Sequence, residues 1–364
     1  MSHPASTPRT LMVMAGGTGG HIFPALAVAQ WLRGTGWNVV WLGSPRGMES
    51  SIVPQYGFEI EPVSFGGVRG KGLLRLARLP FDLSLALWQC ARVIFRRRPD
   101  VVLGMGGYIA FPGGMMASLL RRPLVIHEQN SVPGLANRVL ARIADRVLCA
   151  FPHALGKGVS SEWTGNPVRE AITVIAAPRE RFADRSGPLR LLVIGGSLGA
   201  QALNACVPEA LAKLPAGRRP IVVHQSGRDH LEALQANYAG AGVEAMLLPF
   251  IDDMAQRYAE ADLVIARAGA TTVAELACAG LASVLVPFPH AVDDHQTVNA
   301  RFLVDRGAAW LIPQAELTPE RLAQQLASID RAALLAMAER ARSVAKPEAT
   351  RRVAQVCMEA ADAA

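Results

Sequence analysis

Short apolar runs recur along the chain, each followed by glycine or polar residues and then by apolar positions at helical spacing. In the first half they fall at 11–15, 38–42, 59–63, 101–103, 123–127 and 146–149. Each is short and bounded by turn-forming residues, which predicts strands. Helical patterns lie between them, at 20–33, 48–55, 72–97, 112–120 and 134–143. The second half repeats the scheme, with strands at 190–195, 220–224, 244–248, 262–266, 283–286 and 309–312. Its helical patterns fall at 199–212, 228–237, 253–259, 272–279, 294–306 and 319–328. Strands alternating with helices predict an α/β fold of two doubly wound parallel sheets.

Residues 160–167 combine small residues with a Gly165-Asn166-Pro167 turn signal and are the candidate linker. The expected domains are therefore 1–165 and 166–347. Helical patterns at 331–345 and 349–362 are broken at Lys346-Pro347. A last helix over 348–364 is expected to pack back on the first domain, a step that periodicity alone does not establish.

Two strand–glycine–helix junctions dominate the pattern. One runs from Leu11 through Gly16-Gly17-Thr18-Gly19-Gly20-His21, the other from Leu191 through Gly195-Gly196-Ser197-Leu198-Gly199. Glycine lets backbone amides approach a ligand, and a helix N-terminus favours negative charge. Two such junctions facing one another would make a cleft with anion-binding turns on both walls. The first turn lacks the third glycine of the dinucleotide fingerprint, and the second strand ends without an acidic residue to grip a ribose, which disfavours an NAD enzyme.

The formal net charge of +7 suits an anionic partner but does not choose between nucleic acid, phosphorylated substrate and anionic lipid. A hydrophobic content of 51% with 18% charged residues is that of a globular chain. Five cysteines, none at C-x-x-C spacing, support neither a disulfide framework nor a zinc site and point to a reducing compartment. The polar first ten residues lack a signal-peptide pattern, and no apolar stretch is long enough to span a bilayer.

His21 falls at the carboxyl end of the first strand, where α/β folds place ligands, and is a candidate base or a turn histidine. The polar run His127-Glu128-Gln129-Asn130 reads as a cleft wall or an ordinary loop. Thr272 and Glu275 have capping-box spacing, yet Glu275 could instead accept sugar hydroxyls. Asp252-Asp253 and Asp293-Asp294 precede helical patterns, so N-capping is expected of them rather than metal binding. No D-x-D or H-E-x-x-H occurs, and no metal site or cofactor is expected. Between 71 and 98, Phe81, Leu85 and Trp88 share a helical face among arginines, which fits an anionic membrane surface or a core-facing helix. Leu74, Arg75 and Leu79 complete that candidate patch, and Pro80 argues against one uninterrupted helix.

Taken in order, these motifs resemble the MurG family of peptidoglycan glycosyltransferases. The resemblance rests on Gly16 to His21, Gly104-Met105-Gly106-Gly107-Tyr108, His127 to Asn130, Gly165-Asn166-Pro167-Val168-Arg169, Gly195 to Ala200, Pro249 to Met254, Ala266 to Glu275 and Asp294-His295-Gln296 to Asn299-Ala300. It covers nearly the whole chain. It implies the GT-B architecture and inverting, metal-independent transfer of N-acetylglucosamine from UDP-N-acetylglucosamine to the 4-hydroxyl of lipid-linked N-acetylmuramyl-pentapeptide. By position it implies donor contacts at Thr18, Gly19, Gly20, Asn130, Arg169, Ser197 and Ile251. Further contacts are implied at Ala270, Thr271, Thr272, Val273, Ala274, Glu275 and Gln296. His21 is the candidate base and Glu128 the runner-up. A peripheral place on the cytoplasmic face of the inner membrane, a cell-wall synthesis complex and no nucleic-acid partner are implied as well. The rival readings are a UDP-N-acetylglucosamine 2-epimerase and a non-catalytic nucleotide-sugar-binding membrane protein.

Overall fold

The computed structural model describes residues 8–66, 73–156, 158–196 and 199–364. The chain forms two compact units: Met1–Val168 with Pro347–Ala364, and Arg169–Lys346.

In unit 1 the strands are β1 (Thr10–Met14), β2 (Asn38–Gly43), β3 (Glu59–Pro62), β4 (Val101–Gly104), β5 (Leu124–Glu128), β6 (Arg146–Cys149) and β7 (Glu162–Trp163). They form one parallel sheet in the order β3-β2-β1-β4-β5-β6-β7. Its helices are α1 (Gly19–Gly34), α2 (Glu49–Ile52), α3 (Leu73–Arg97), α4 (Ala110–Leu119) and α5 (Leu135–Leu140). Side chains alternate across a strand. Leu11 and Val13 of β1 accordingly enter one core with α1, while Met12 and Met14 enter the other with α3 and α4.

Unit 2 begins with α6 (Glu170–Thr173) and α7 (Pro178–Ala183). Its strands are β8 (Arg190–Ile194), β9 (Ile221–Gln225), β10 (Met246–Leu248), β11 (Leu263–Ala266), β12 (Ala282–Leu285) and β13 (Ala309–Leu311). They pair in parallel in the order β10-β9-β8-β11-β12-β13. The intervening helices are α8 (Gln201–Ala212), α9 (Leu231–Ala241), α10 (Met254–Glu260), α11 (Ala270–Ala279) and α12 (His295–Val304), followed by α13 (Pro319–Ala327) and α14 (Arg331–Ser343).

The final helix, α15 (Ala349–Asp362), returns to unit 1. Val353, Val356, Cys357 and Ala360 recur at helical spacing and are buried in the same core as Leu11 and Val13. Each such apolar side chain contributes on the order of 1–2 kcal/mol by leaving water. Arg352 fastens the helix further by pairing with Glu162 of β7 at 2.6 Å.

Residues 160–167 are not a free linker. Glu162–Trp163 joins the sheet edge, Trp163 Nε1 donates to Ala150 O at 2.9 Å, and Thr164 and Asn166 are buried. Turn-forming composition marks a change of direction here, and the backbone is still held by β6. In both sheets the strand order reverses between the first and fourth strands of the unit. Ligands of such folds bind outside the carboxyl ends of the strands at that reversal. In unit 1 this is the β1/β4 end, and in unit 2 the β8/β11 end.

Candidate functional site

In unit 1 the glycine turn leaves β1 above a buried carboxylate. Glu49 is fully buried and accepts hydrogen bonds from Gly17 N at 3.1 Å and Ser44 N at 2.9 Å. Glycines make room for it: a Cβ on Gly16, Gly43 or Gly47 would collide with its side chain. A Cβ on Gly107, after β4, would strike the Gly16 carbonyl, so the two turns cross closely. Trp41 Nε1 donates to Ala15 O at 2.9 Å and fixes the end of β1. Burial and the Glu49 charge push the Tyr108 phenol up. The anion-binding turn expected in unit 1 thus shares its amides with the fold itself. One of its amides already serves an internal carboxylate, whose charge opposes a second anion.

Thr18 occupies the N-cap position of α1 without a side-chain cap, and its carbonyl accepts from His21 N at 3.1 Å. Gly19 and Gly20 open the helix, and His21 follows at its first turn. His21 Nδ1 lies 2.9 Å from Gln129 Oε1. His127, Glu128 and Gln129 are buried at the end of β5. Glu128 accepts from Asn130 N at 2.9 Å, Gly134 N at 3.2 Å and Asn137 Nδ2 at 3.0 Å. It thus holds the loop that carries Asn130, with its oxygens engaged inside the fold.

α3 is continuous from Leu73 to Arg97 through Pro80, contrary to the expected break. Phe81, Trp88 and Phe95 recur every seven residues and are 68%, 58% and 65% exposed. Leu85 is partly buried. Leu79 packs against the core, so it belongs to the inner face rather than the exposed stripe. The side chains of Leu74 and Arg75 lie outside the described residues.

In unit 2 the turn after β8 carries Gly195, Gly196 and Gly199; Ser197 lies outside the described residues. Gly199 N donates to Gly196 O at 2.9 Å, and a Cβ on Gly199 would strike the Ser226 carbonyl. Among the described residues, no carboxylate accepts from this turn. Beside it, β11 ends at Ala266 and α11 opens at Ala270 with Gly269 as its N-cap. Helix geometry leaves the amides of Ala270, Thr271 and Thr272 without intrahelical acceptors. Val273 is buried, and Ala274 is partly exposed.

Glu275 is not half of a capping box. Its Oε1 meets Arg169 Nη2 at 3.0 Å and its Oε2 accepts from Tyr258 OH at 3.1 Å. Burial pushes the Glu275 carboxyl up, opposed by Arg169 and the Tyr258 hydroxyl. Arg169 itself is 45% exposed and can still face a ligand. Ile251 is buried. Gln296, in the first turn of α12, uses Oε1 to accept from Phe288 N at 2.9 Å, so its amide nitrogen is what it offers a ligand.

The Asp pairs occupy helix starts without capping them. Asp253 pairs with Arg257 at 3.2 Å, and Asp294 accepts from Thr297 Oγ1 at 2.7 Å. Asp293 and Asp294 both adopt left-handed backbone, with φ of 53° and 49°. Among the described residues, no three His, Cys, Asp or Glu side chains group as metal ligands.

Sequence reasoning missed Glu49, Tyr258 and Arg267. Arg267 follows β11 and donates to the carbonyls of Val286 at 3.1 Å and Pro287 at 3.0 Å. It ties the β11 turn to the β12 turn. Only its place at a strand's carboxyl end could have marked it.

These two Rossmann-like units have counterparts among known proteins. The glycosyltransferase family 28 N-terminal domain matches residues 11–149, and the family's C-terminal domain matches residues 190–355. The chain belongs to glycosyltransferase family 28 and has its α/β, GT-B architecture. It is 65% identical over 353 residues to the UDP-N-acetylglucosamine–N-acetylmuramyl-(pentapeptide) pyrophosphoryl-undecaprenol N-acetylglucosamine transferase of Aromatoleum aromaticum, covering 97% of this chain and 98% of the relative. The enzyme of the same name from Ralstonia nicotianae is 62% identical, with 99% and 98% covered. The crystal structure of Acinetobacter baumannii MurG superposes with a TM-score of 0.85 at 42% identity, covering 97% of this chain and all of that one. The crystal structure of a UDP-N-acetylglucosamine 2-epimerase shares the fold at 14% identity, with a TM-score of 0.61 over 95% of each chain.

Proposed function

We propose that this protein transfers N-acetylglucosamine from UDP-N-acetylglucosamine to the 4-hydroxyl of lipid-linked N-acetylmuramyl-pentapeptide, with inversion. The observation that carries the reading is identity above 60% along nearly the full length of enzymes that bear that reaction in their name. In this reading His21 takes the proton from the acceptor hydroxyl. The freed oxygen attacks the anomeric carbon as its bond to the UDP oxygen breaks, and UDP leaves with the electron pair. Unit 2 binds the donor. The first-turn amides of α11 and the Arg169 guanidinium receive the charge that builds on the diphosphate. Ser197 belongs to that diphosphate set. Glu275 takes the ribose hydroxyls, Ile251 the uracil, and Asn130 and Gln296 the sugar. Thr18, Gly19 and Gly20 complete the donor contacts from unit 1. Leaving-group charge is met by amides and a guanidinium, so no metal enters the reaction.

Unit 1 meets the acceptor at the membrane. Among the described residues, no helix is long and apolar enough to cross a bilayer. The exposed Phe81, Trp88 and Phe95, with exposed Arg78, Arg92 and Arg96 on the same helix, support a peripheral site on an anionic surface. Each cation near such a surface contributes about 1 kcal/mol, and salt weakens the attraction. The place proposed is the cytoplasmic face of the inner membrane, in a cell-wall synthesis complex serving cell shape and division. The deciding assay combines UDP-N-acetylglucosamine with a short-chain lipid-linked acceptor. UDP release strictly dependent on acceptor supports the reading; turnover of donor alone contradicts it.

A further inference from the structure

A chain of hydrogen bonds inside unit 1 determines which nitrogen of His21 carries its proton. It starts at the Gly165 carbonyl, which can only accept. His127 Nε2 lies 2.9 Å from that oxygen, so Nε2 carries hydrogen. His127 is fully buried, and burial pushes it down to about 4, so it is neutral at neutral pH and its Nδ1 is a bare lone pair. The Gln129 amide atom that faces His127 lies 3.1 Å from that Nδ1 and 3.0 Å from the His127 carbonyl. Both of these accept, so the facing atom is the NH2. The amide orientation is thereby settled by its partners, and the other end, Oε1, is directed at His21 Nδ1 across 2.9 Å. An amide oxygen only accepts, so His21 Nδ1 donates. A neutral imidazole has one N–H, and the lone pair is left on Nε2.

Packing protects this contact. Gly106 has φ of +93°, and a Cβ there would come within 2.8 Å of His21 Nδ1 and 3.3 Å of Gln129 Oε1. The bare glycine allows the β4 turn to lie against the His21–Gln129 bond. An isolated histidine side chain favours the opposite tautomer, Nε2–H, so holding Nδ1–H requires a fixed acceptor such as this one.

We infer that Gln129, locked by His127 and the Gly165 carbonyl, is a positioning residue that holds His21 as the Nδ1–H tautomer with Nε2 as its proton-accepting atom. The inference rests on the reading of His21 as the base only for its catalytic consequence; the tautomer itself stands apart from it. In catalysis the amide orients the ring without adding a charge, so the imidazolium formed can give its proton up again.

The test is a long-range proton–nitrogen correlation spectrum of the nitrogen-15-labelled full-length protein, at a pH where His21 is neutral. His21→Ala assigns the ring signals. The expected wild-type pattern is Nδ1–H. Gln129→Leu should move His21 toward Nε2–H and lower kcat roughly a hundredfold, with UDP affinity within about threefold. A wild-type Nε2–H pattern overturns the inference without recourse to any variant, and so does a Gln129→Leu protein that retains Nδ1–H. If the tautomer is as expected but His21→Ala keeps near-native kcat, the base assignment fails while Gln129's hold on the ring stands.

Discussion

The two glycine turns are alike in sequence and differ in what stands behind them. The turn of unit 1 is anchored by Glu49, whose carboxylate takes the Gly17 amide. The turn of unit 2 closes on its own backbone through Gly199 N and Gly196 O, and the adjoining α11 opens next to the Arg169–Glu275 pair. The carboxylate behind the first turn takes one of its amides and stands under the turn that leads to His21. The second keeps its positive end for a ligand. On the function proposed above, similar glycine patterns would serve positioning in one unit and charge stabilisation in the other.

The largest effect that would break this contrast lies at His21. His21→Ala is expected to cut kcat roughly a hundredfold or more, with little change in donor affinity. Steady-state kinetics with the lipid-linked acceptor would show it, and near-native kcat would remove the catalytic half of the comparison. Glu49→Ala comes next. It leaves the buried Ser44 amide and the half-buried Gly17 amide without their acceptor and a void beneath the turn, and should destabilise unit 1 by about 3 kcal/mol in urea unfolding. An unchanged midpoint would mean that the turn does not depend on its anchor.

Acid sharpens the comparison, because among the described residues each unit has one fully buried histidine. Burial pushes His127 down to about 4 and His224 down to about 3. Both folded values lie below the unfolded value near 6.5. Their stability contribution is therefore complete above about pH 6.5 and is lost as pH falls toward the folded values. Well below 6.5 each histidine should cost its unit about 1.4 kcal/mol per pH unit. Thermal unfolding between pH 7 and 5 should fall accordingly, and His224→Gln should flatten the loss in unit 2 alone. The smallest expected effect is none: activity should survive thorough EDTA treatment. Loss restored by Mg²⁺ would transfer leaving-group stabilisation from α11 and Arg169 to a metal.

Both sheets were legible in the sequence, because short apolar runs, glycine turns and helical spacing all act locally. His21 was legible for the same reason, as a residue just past a strand end. The roles of Glu49 and Gln129 were not. Glu49 binds the amide of Gly17 and Gln129 binds His21, partners brought together only by the folded sheet. Residues 160–167 read as a linker because Ser, Gly and Pro signal turns, whereas pairing to β6 makes part of the segment a strand. The capping-box spacing of Thr272 and Glu275 left two readings of Glu275 open for the same reason. Glu275 has better partners in Arg169 and Tyr258 than its own helix end.

The division between the two turns is tested most directly by calorimetric titration of UDP into the wild type and into His21→Ala, Arg169→Ala and Glu275→Gln variants of confirmed fold. Loss of a charge-assisted contact to the diphosphate or of the Glu275 carboxylate should weaken UDP binding about tenfold, worth about 1.4 kcal/mol. His21→Ala should bind UDP within about twofold of the wild type. Weakened binding in His21→Ala with wild-type binding in the two unit 2 variants would contradict the account.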